Sequence, residues 1–195
     1  MVAMAVLLAV TAGAFGAVQI TPDAALVQSE LSDMQQRMRI AVDAILRDGI
    51  GATSVRPCRW GGPSEDPPGT FRTDTITFAS AVGTRTYWLK TDAPSATYQL
   101  TSWSGGASAD VPVVDNVVSL AFAYVGDGGM PLGPADLQLL RAITITLRVQ
   151  AAAPAVRGPA GPSFLHPGTA RLAQRWAPDV EAQFQLSPRN LNLER

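Results

Sequence analysis

Residues 24–49 read AALVQSELSDMQQRMRIAVDAILRDG. Val27, Leu31, Met34, Met38, Ala41 and Ile45 recur at steps of four and three, while Gln28, Ser32, Asp33, Gln35, Arg39 and Asp43 fall between them. That spacing is the helical period with one apolar side. The stretch therefore predicts a long amphipathic helix over residues 21–49. Thr21, Pro22 and Asp23 have the side chains of a helix start, and Gly49, followed by Gly51, those of a stop. A one-sided helix needs a surface to cover, and Val27, Leu31, Met34, Met38 and Ile45 are the expected contacts to it.

Upstream lies MVAMAVLLAVTAGAFGAVQI, residues 1–20, without a formal charge before Asp23. Twenty helical residues reach about 30 Å, the thickness of a bilayer's hydrocarbon core. Ala5, Ala9, Gly13 and Ala17 follow each other at four-residue steps, with Ala12 and Gly16 beside them. Small side chains in such a series let another helix approach closely. Residues 1–20 are thus predicted as a hydrophobic half that crosses a membrane and packs against helices, joined to the amphipathic half as one rod, with a kink expected at Pro22. A secretory signal peptide is the competing reading, but such segments open with Lys or Arg and close on a small-residue cleavage site. Here the apolar run starts bare and continues through Gln19 and Ile20.

Beyond Gly49 the signals change from helix to strand. The segment Thr53–Thr70, with RPCRWGGPSEDPPGT at its centre, is expected to be a surface loop on its Pro and Gly content. Strands are predicted at Thr75–Ala79 and Thr84–Lys90, joined as a hairpin around Gly83, then at Tyr98–Trp103, Val117–Tyr124, Ala142–Val149 and Val180–Leu186. The two clearest place Val118, Leu120, Phe122 and Tyr124, and Ile143, Ile145, Leu147 and Val149, in alternation along the chain. A loop is expected over Gln150–Gly168. Helix first and strands after it point to an α+β fold, in which a long N-terminal helix packs on an antiparallel β-sheet formed by residues 50–195.

Composition narrows the function by exclusion. Fifteen basic and sixteen acidic residues give a net charge of −1, without the basic face that nucleic acid would need. Cys58 is the only cysteine, so no internal disulfide can form, and pairing with another chain is its one disulfide route. His166 is the only histidine and falls in a Pro/Gly loop, a poor place for a catalytic triad. One His and one Cys do not make a zinc site. GDGGMPLGPAD carries Asp127 and Asp136 but lacks the spacing of a calcium loop. The chain is therefore expected to be no enzyme and to need no cofactor or metal.

The opening MVAMAVLLAV resembles the apolar run within type IV prepilin N-termini, which follows a basic leader and a GF-T-L-I-E-L-like motif. On that resemblance the natural reading frame is expected to extend upstream of Met1. QQRMRIAVDAILRDGIGA, residues 35–52, is similar to the helix that leads into the globular part of PilW-like minor pilins and minor pseudopilins, with Arg39, Ala41, Asp48 and Gly51 at comparable places. DTITF, DNVVSLAFAYVGDG, LQLLRAITITLRV and SPRNLN then follow in the order such proteins show. The resemblance implies a structural minor pilin or pseudopilin of the prepilin-type N-terminal cleavage and methylation family. It implies an inner-membrane anchor with a periplasmic domain, later part of a type IV pilus or a type II secretion pseudopilus. Its partners would be other pilin or pseudopilin subunits, met through the N-terminal helix. The alternative is a secreted β-rich binding module with a signal peptide, presenting Trp60, Trp88 or Trp103 to a ligand.

Overall fold

The computed structural model describes residues 2–60, 65–92, 97–105, 109–157 and 177–191, and side chains within the helix from Ala25 onward. Helix α1 spans Val2–Ile50 as one element. Thr21, Pro22 and Asp23 lie inside it, so Thr21 is an interior residue and no new helix starts there. A proline removes one backbone hydrogen bond, which a helix with intact turns on both sides can lose without ending.

Seven strands follow: β1 (Ser54–Arg56), β2 (Thr75–Ser80), β3 (Gly83–Asp92), β4 (Thr97–Trp103), β5 (Val111–Val125), β6 (Ala142–Val149) and β7 (Val180–Leu186). They form one sheet in sequence order, each antiparallel to the next. The six expected strands are present, and β6 and β7 have the bounds expected of them. Two differences stand out. Ser54–Arg56, inside the expected surface loop, pairs with Thr77–Ala79 as β1. Strand β5 begins six residues before the expected Val117, at Val111, because Pro112 and Asp115 interrupt the sequence pattern without interrupting the pairing.

The length of β5 lets it serve two partners. Its first half pairs with β4 from Val111 to Val117, and its second half with β6 from Val117 to Val125. The changeover sits at Asn116, whose φ of 57° is left-handed, between register shifts on both sides. Such an irregularity bends a strand and strengthens its twist. Past it, Phe122 donates its N–H to Thr73 O at 2.6 Å, so the segment before β2 takes over the edge that β4 leaves.

The chain divides into two compact units. One comprises residues 1–34 and 151–179, the other residues 35–150 and 180–195. In the first, Val27 and Met34 are buried and Leu31 is half-buried. There Glu30 Oε2 accepts the Ala152 N–H at 2.9 Å, and Arg157 Nε donates to Ala151 O at 3.0 Å. Ala177 closes a short bridge onto Arg157, with its N–H on Val156 O.

In the second unit the last turns of α1 pack on the sheet. Met38, Ala41, Ile45 and Gly49 are buried. The Tyr87 hydroxyl on β3 donates to Asp48 Oδ2 at 2.6 Å and approaches Ala44 O at 3.1 Å. A Cβ at Gly49 would overlap Leu186 Cδ2 on β7 and stand 3.2 Å from the Phe78 ring on β2. Gly49 has no positive φ, so its lack of a side chain serves close approach to the sheet and not the left-handed cap expected of it.

On the opposite face of β2, β3 and β4 the register aligns Thr75 with Trp88, Thr77 with Thr86, Thr86 with Trp103, and Trp88 with Thr101. All are buried. The chain before β2 covers this face, because Thr77 Oγ1 donates to Cys58 O at 2.6 Å and the Arg59 guanidinium stacks 4.8 Å from the Trp88 ring centre. Arg72 clasps the segment by a two-point pair to Asp74 and a contact to Asp66, while Asp66 accepts the Arg59 N–H. Residues read as a surface loop are therefore a cover. Buried polar groups need partners out of water: the loop gives Thr77 the Cys58 carbonyl and Trp88 the Arg59 guanidinium, while Thr86 pairs with Thr77 at 2.9 Å.

Candidate functional site

Two sets of residues were expected to carry function. The small-residue series Ala5, Ala9, Gly13 and Ala17 lies in the backbone of α1, with side chains outside the described residues. Among the described residues no helix is long and apolar enough to cross a membrane. Of the apolar stripe, Val27, Met34, Met38 and Ile45 are buried and Leu31 is half-buried. Within the unit that holds the sheet, Met38 and Ile45 are the stripe members on α1, and the exposed Gln35, Arg39 and Asp43 mark the helix's outer side. An apolar line at helical spacing has thus been drawn inward by the sheet, as burial of large apolar side chains at roughly 1.5 to 3 kcal/mol each would favour.

The residues named for a ligand surface are arranged otherwise. Trp88 is 7% exposed and Trp103 is 4% exposed, so neither ring faces solvent. Trp60 is exposed, with the Arg56 guanidinium stacked 4.0 Å from its ring centre. Cys58 is half-buried, and burial, reinforced by the Asp66 charge, pushes its thiol above the ordinary range and away from the reactive thiolate. Asp127 is paired with Arg141 at 2.8 Å, while Asp136 opens a separate 3-10 turn at Pro134–Leu139. His166 lies outside the described residues.

One cluster went unrecognised in the sequence. A cleft of about 460 Å³ opens between the last turn of α1 and the β2–β3 hairpin, lined by Arg47, Asp48, Phe78, Ser80, Val82 and Arg85 among others. Asp48 is its centre. Its carboxylate accepts the Tyr87 hydroxyl at 2.6 Å and meets Arg47 Nε at 3.4 Å and Arg85 Nε at 3.3 Å. Burial, followed by the Asp48 bond and charge, holds the Tyr87 phenol far above its usual range. Only the alternation of Arg85 and Tyr87 with Thr84 and Thr86 along β3 hinted that these two share a face, and nothing local ties them to Asp48, thirty-seven and more residues away.

No family model matches the chain, and no curated protein does. Among solved structures, a type IV-like pilin from Thermus thermophilus is similar at a TM-score of 0.40 and 15% identity, over 80% of this chain and 97% of that one. So loose a likeness assigns no role. The chain's own residues have to.

Proposed function

We propose that the chain is a structural subunit of pilin type: a minor pilin or minor pseudopilin that takes part in initiating or assembling a type IV pilus or a type II secretion pseudopilus. The observation that carries the reading is α1 itself. Val2–Ile50 is one helix, uncharged until Asp23, that passes into a one-sided stripe whose last members lie buried beneath an antiparallel sheet. The ordered likeness of residues 35–52 and the later strands to PilW-like proteins supports the same role. In that role residues 1–20 hold the subunit in the inner membrane, its sheet lies in the periplasm, and prepilin-type processing and methylation precede assembly. Ala5, Ala9, Gly13 and Ala17 then admit the helices of neighbouring subunits, since small residues allow backbones to approach. The work is assembly, with no catalysis and no nucleic acid partner.

The test is Ala9→Leu together with Gly13→Leu in the full chain. Assembly, read as recovery of filament or secretion function in a deletion strain, is expected to fail, while the denaturant midpoint of the sheet is unchanged. Full function with both leucines in place would refute the role given to that helix face. The binding-module reading has less support, because Trp88 and Trp103 are covered.

A further inference from the structure

We propose that the cleft between the last turn of α1 and the β2–β3 hairpin holds an acidic side chain of a neighbouring protein chain, gripped between the Arg47 and Arg85 guanidiniums. The cleft's chemistry is independent of whether the chain is a filament subunit.

Charge is the first argument. Two guanidiniums share one carboxylate, Asp48, and among the described residues no second acid pairs with either. Both pairings are long, at 3.4 and 3.3 Å, whereas the shortest bond to Asp48, at 2.6 Å, comes from Tyr87. The tyrosine fixes the carboxylate from the buried side and leaves it as a post that holds the two cations near each other. The carbonyl end of a helix opposes an anion. That opposition is reduced here, because Gly49 O accepts the Ala52 N–H and Ile50 O accepts the Arg189 N–H. A planar guanidinium offers five N–H donors in a fork that suits a carboxylate, so a second acid entering the cleft finds donors on both sides.

The rim argues for a protein side chain over a free anion. The two-residue turn of the hairpin is Ala81–Val82, where Gly, Asn, Asp or Ser would be usual, and Val82 is 99% exposed. The turn is completed by Gly83 at φ 143°. An inorganic anion gains nothing from a bare valine, but an acidic residue with an apolar neighbour would meet the arginines and Val82 together. The volume, about 460 Å³, is enough to admit a pair of side chains.

The full chain is titrated with three probes: a capped peptide with aspartate beside leucine, the same peptide with asparagine, and inorganic phosphate, reading the Arg Nε–H and Gly83 amide resonances. The aspartate peptide is expected to bind and to weaken with added salt. Arg47→Gln and Arg85→Gln are each expected to weaken it by about two- to fivefold, the upper part of the range for exposed charge pairs. Val82→Ser is expected to weaken it further, and Arg85→Lys, which keeps the charge beside Asp48 but not the fork, to keep the parent's melting temperature and to bind between the parent and Arg85→Gln. Equal binding of the aspartate and asparagine peptides overturns the proposal. So does binding of phosphate as tight as the peptide's with Val82→Ser without effect, and so does no response to the aspartate peptide at millimolar concentration.

Discussion

Gly49 carries two opposite demands. Glycine inside a helix costs about 1 kcal/mol relative to alanine, so propensity alone favours replacing it. Yet an added methyl would run into Leu186, which is 1% exposed, and crowd the Phe78 ring. Overpacking of this kind costs about 1–3 kcal/mol, and both neighbours are buried side chains that would have to shift. Gly49→Ala is therefore expected to lower stability by about 1 kcal/mol net in urea unfolding, and an increase would show that the helix and sheet can separate slightly at little expense. Tyr87 is the second such residue. Its hydroxyl bonds Asp48 and Ala44 O, so Tyr87→Phe should cost about 1–2 kcal/mol while leaving the ring's T-shaped contact with Phe78 in place. Equal unfolding midpoints for the two proteins would mean that Asp48 is held by its arginines alone.

At the scale of the element, α1 is defined by which of its sides is buried. Met38 is 6% exposed and Asp43 is on the outer side. Met38→Asp places a charge among apolar side chains and is expected to destabilise by about 3 kcal/mol or more, whereas Asp43→Ala should stay within about 0.5 kcal/mol. Equal thermal midpoints for Met38→Asp and the parent would remove the stripe from the core. Strand β5 shows the other limit of reading an element from its own residues. The alternation of Leu120, Phe122 and Tyr124 is plain, but Pro112 and Asp115 obscure the half that pairs with β4. Pairing there is decided by the neighbouring strand, to which the bulge at Asn116 adapts the register. Strand β1 is of the same kind. Three residues carry no periodic signal, and Ser54–Arg56 become a strand only because β2 offers an edge.

For the whole molecule, two buried phenols set the alkaline limit. Burial raises Tyr87, with Asp48 adding to it, and burial raises Tyr124, with the charges of Cys58 and Asp74 adding to it. An unfolded tyrosine ionises near pH 10, while the folded one keeps its proton. Both groups' contributions are fully present below about pH 10 and are lost as pH rises above it, by about 1.4 kcal/mol per pH unit for each phenol. Stability measured by urea unfolding is thus expected to fall steeply above about pH 10, and Tyr87→Phe or Tyr124→Phe to flatten the fall by about half. A slope unchanged in both variants would exclude these two residues as the cause.

The amphipathic helix and six of the seven strands were determined by the sequence itself, because a period of 3.6 or 2, or a run of β-branched and aromatic residues between turn residues, is declared by a residue's nearest neighbours in the chain. Their antiparallel character followed from the order of helix and strands. Tertiary structure alone decided the remainder. It joined β1 to the edge of β2, divided β5 between two partners and laid Cys58 and Arg59 over Thr77 and Trp88. It also brought Asp48 to Arg85 and Tyr87. These arrangements depend on which unsatisfied backbone edge, hydroxyl or charge lies nearby after the chain has folded, and distance in space between residues far apart in sequence leaves no periodic trace in either segment.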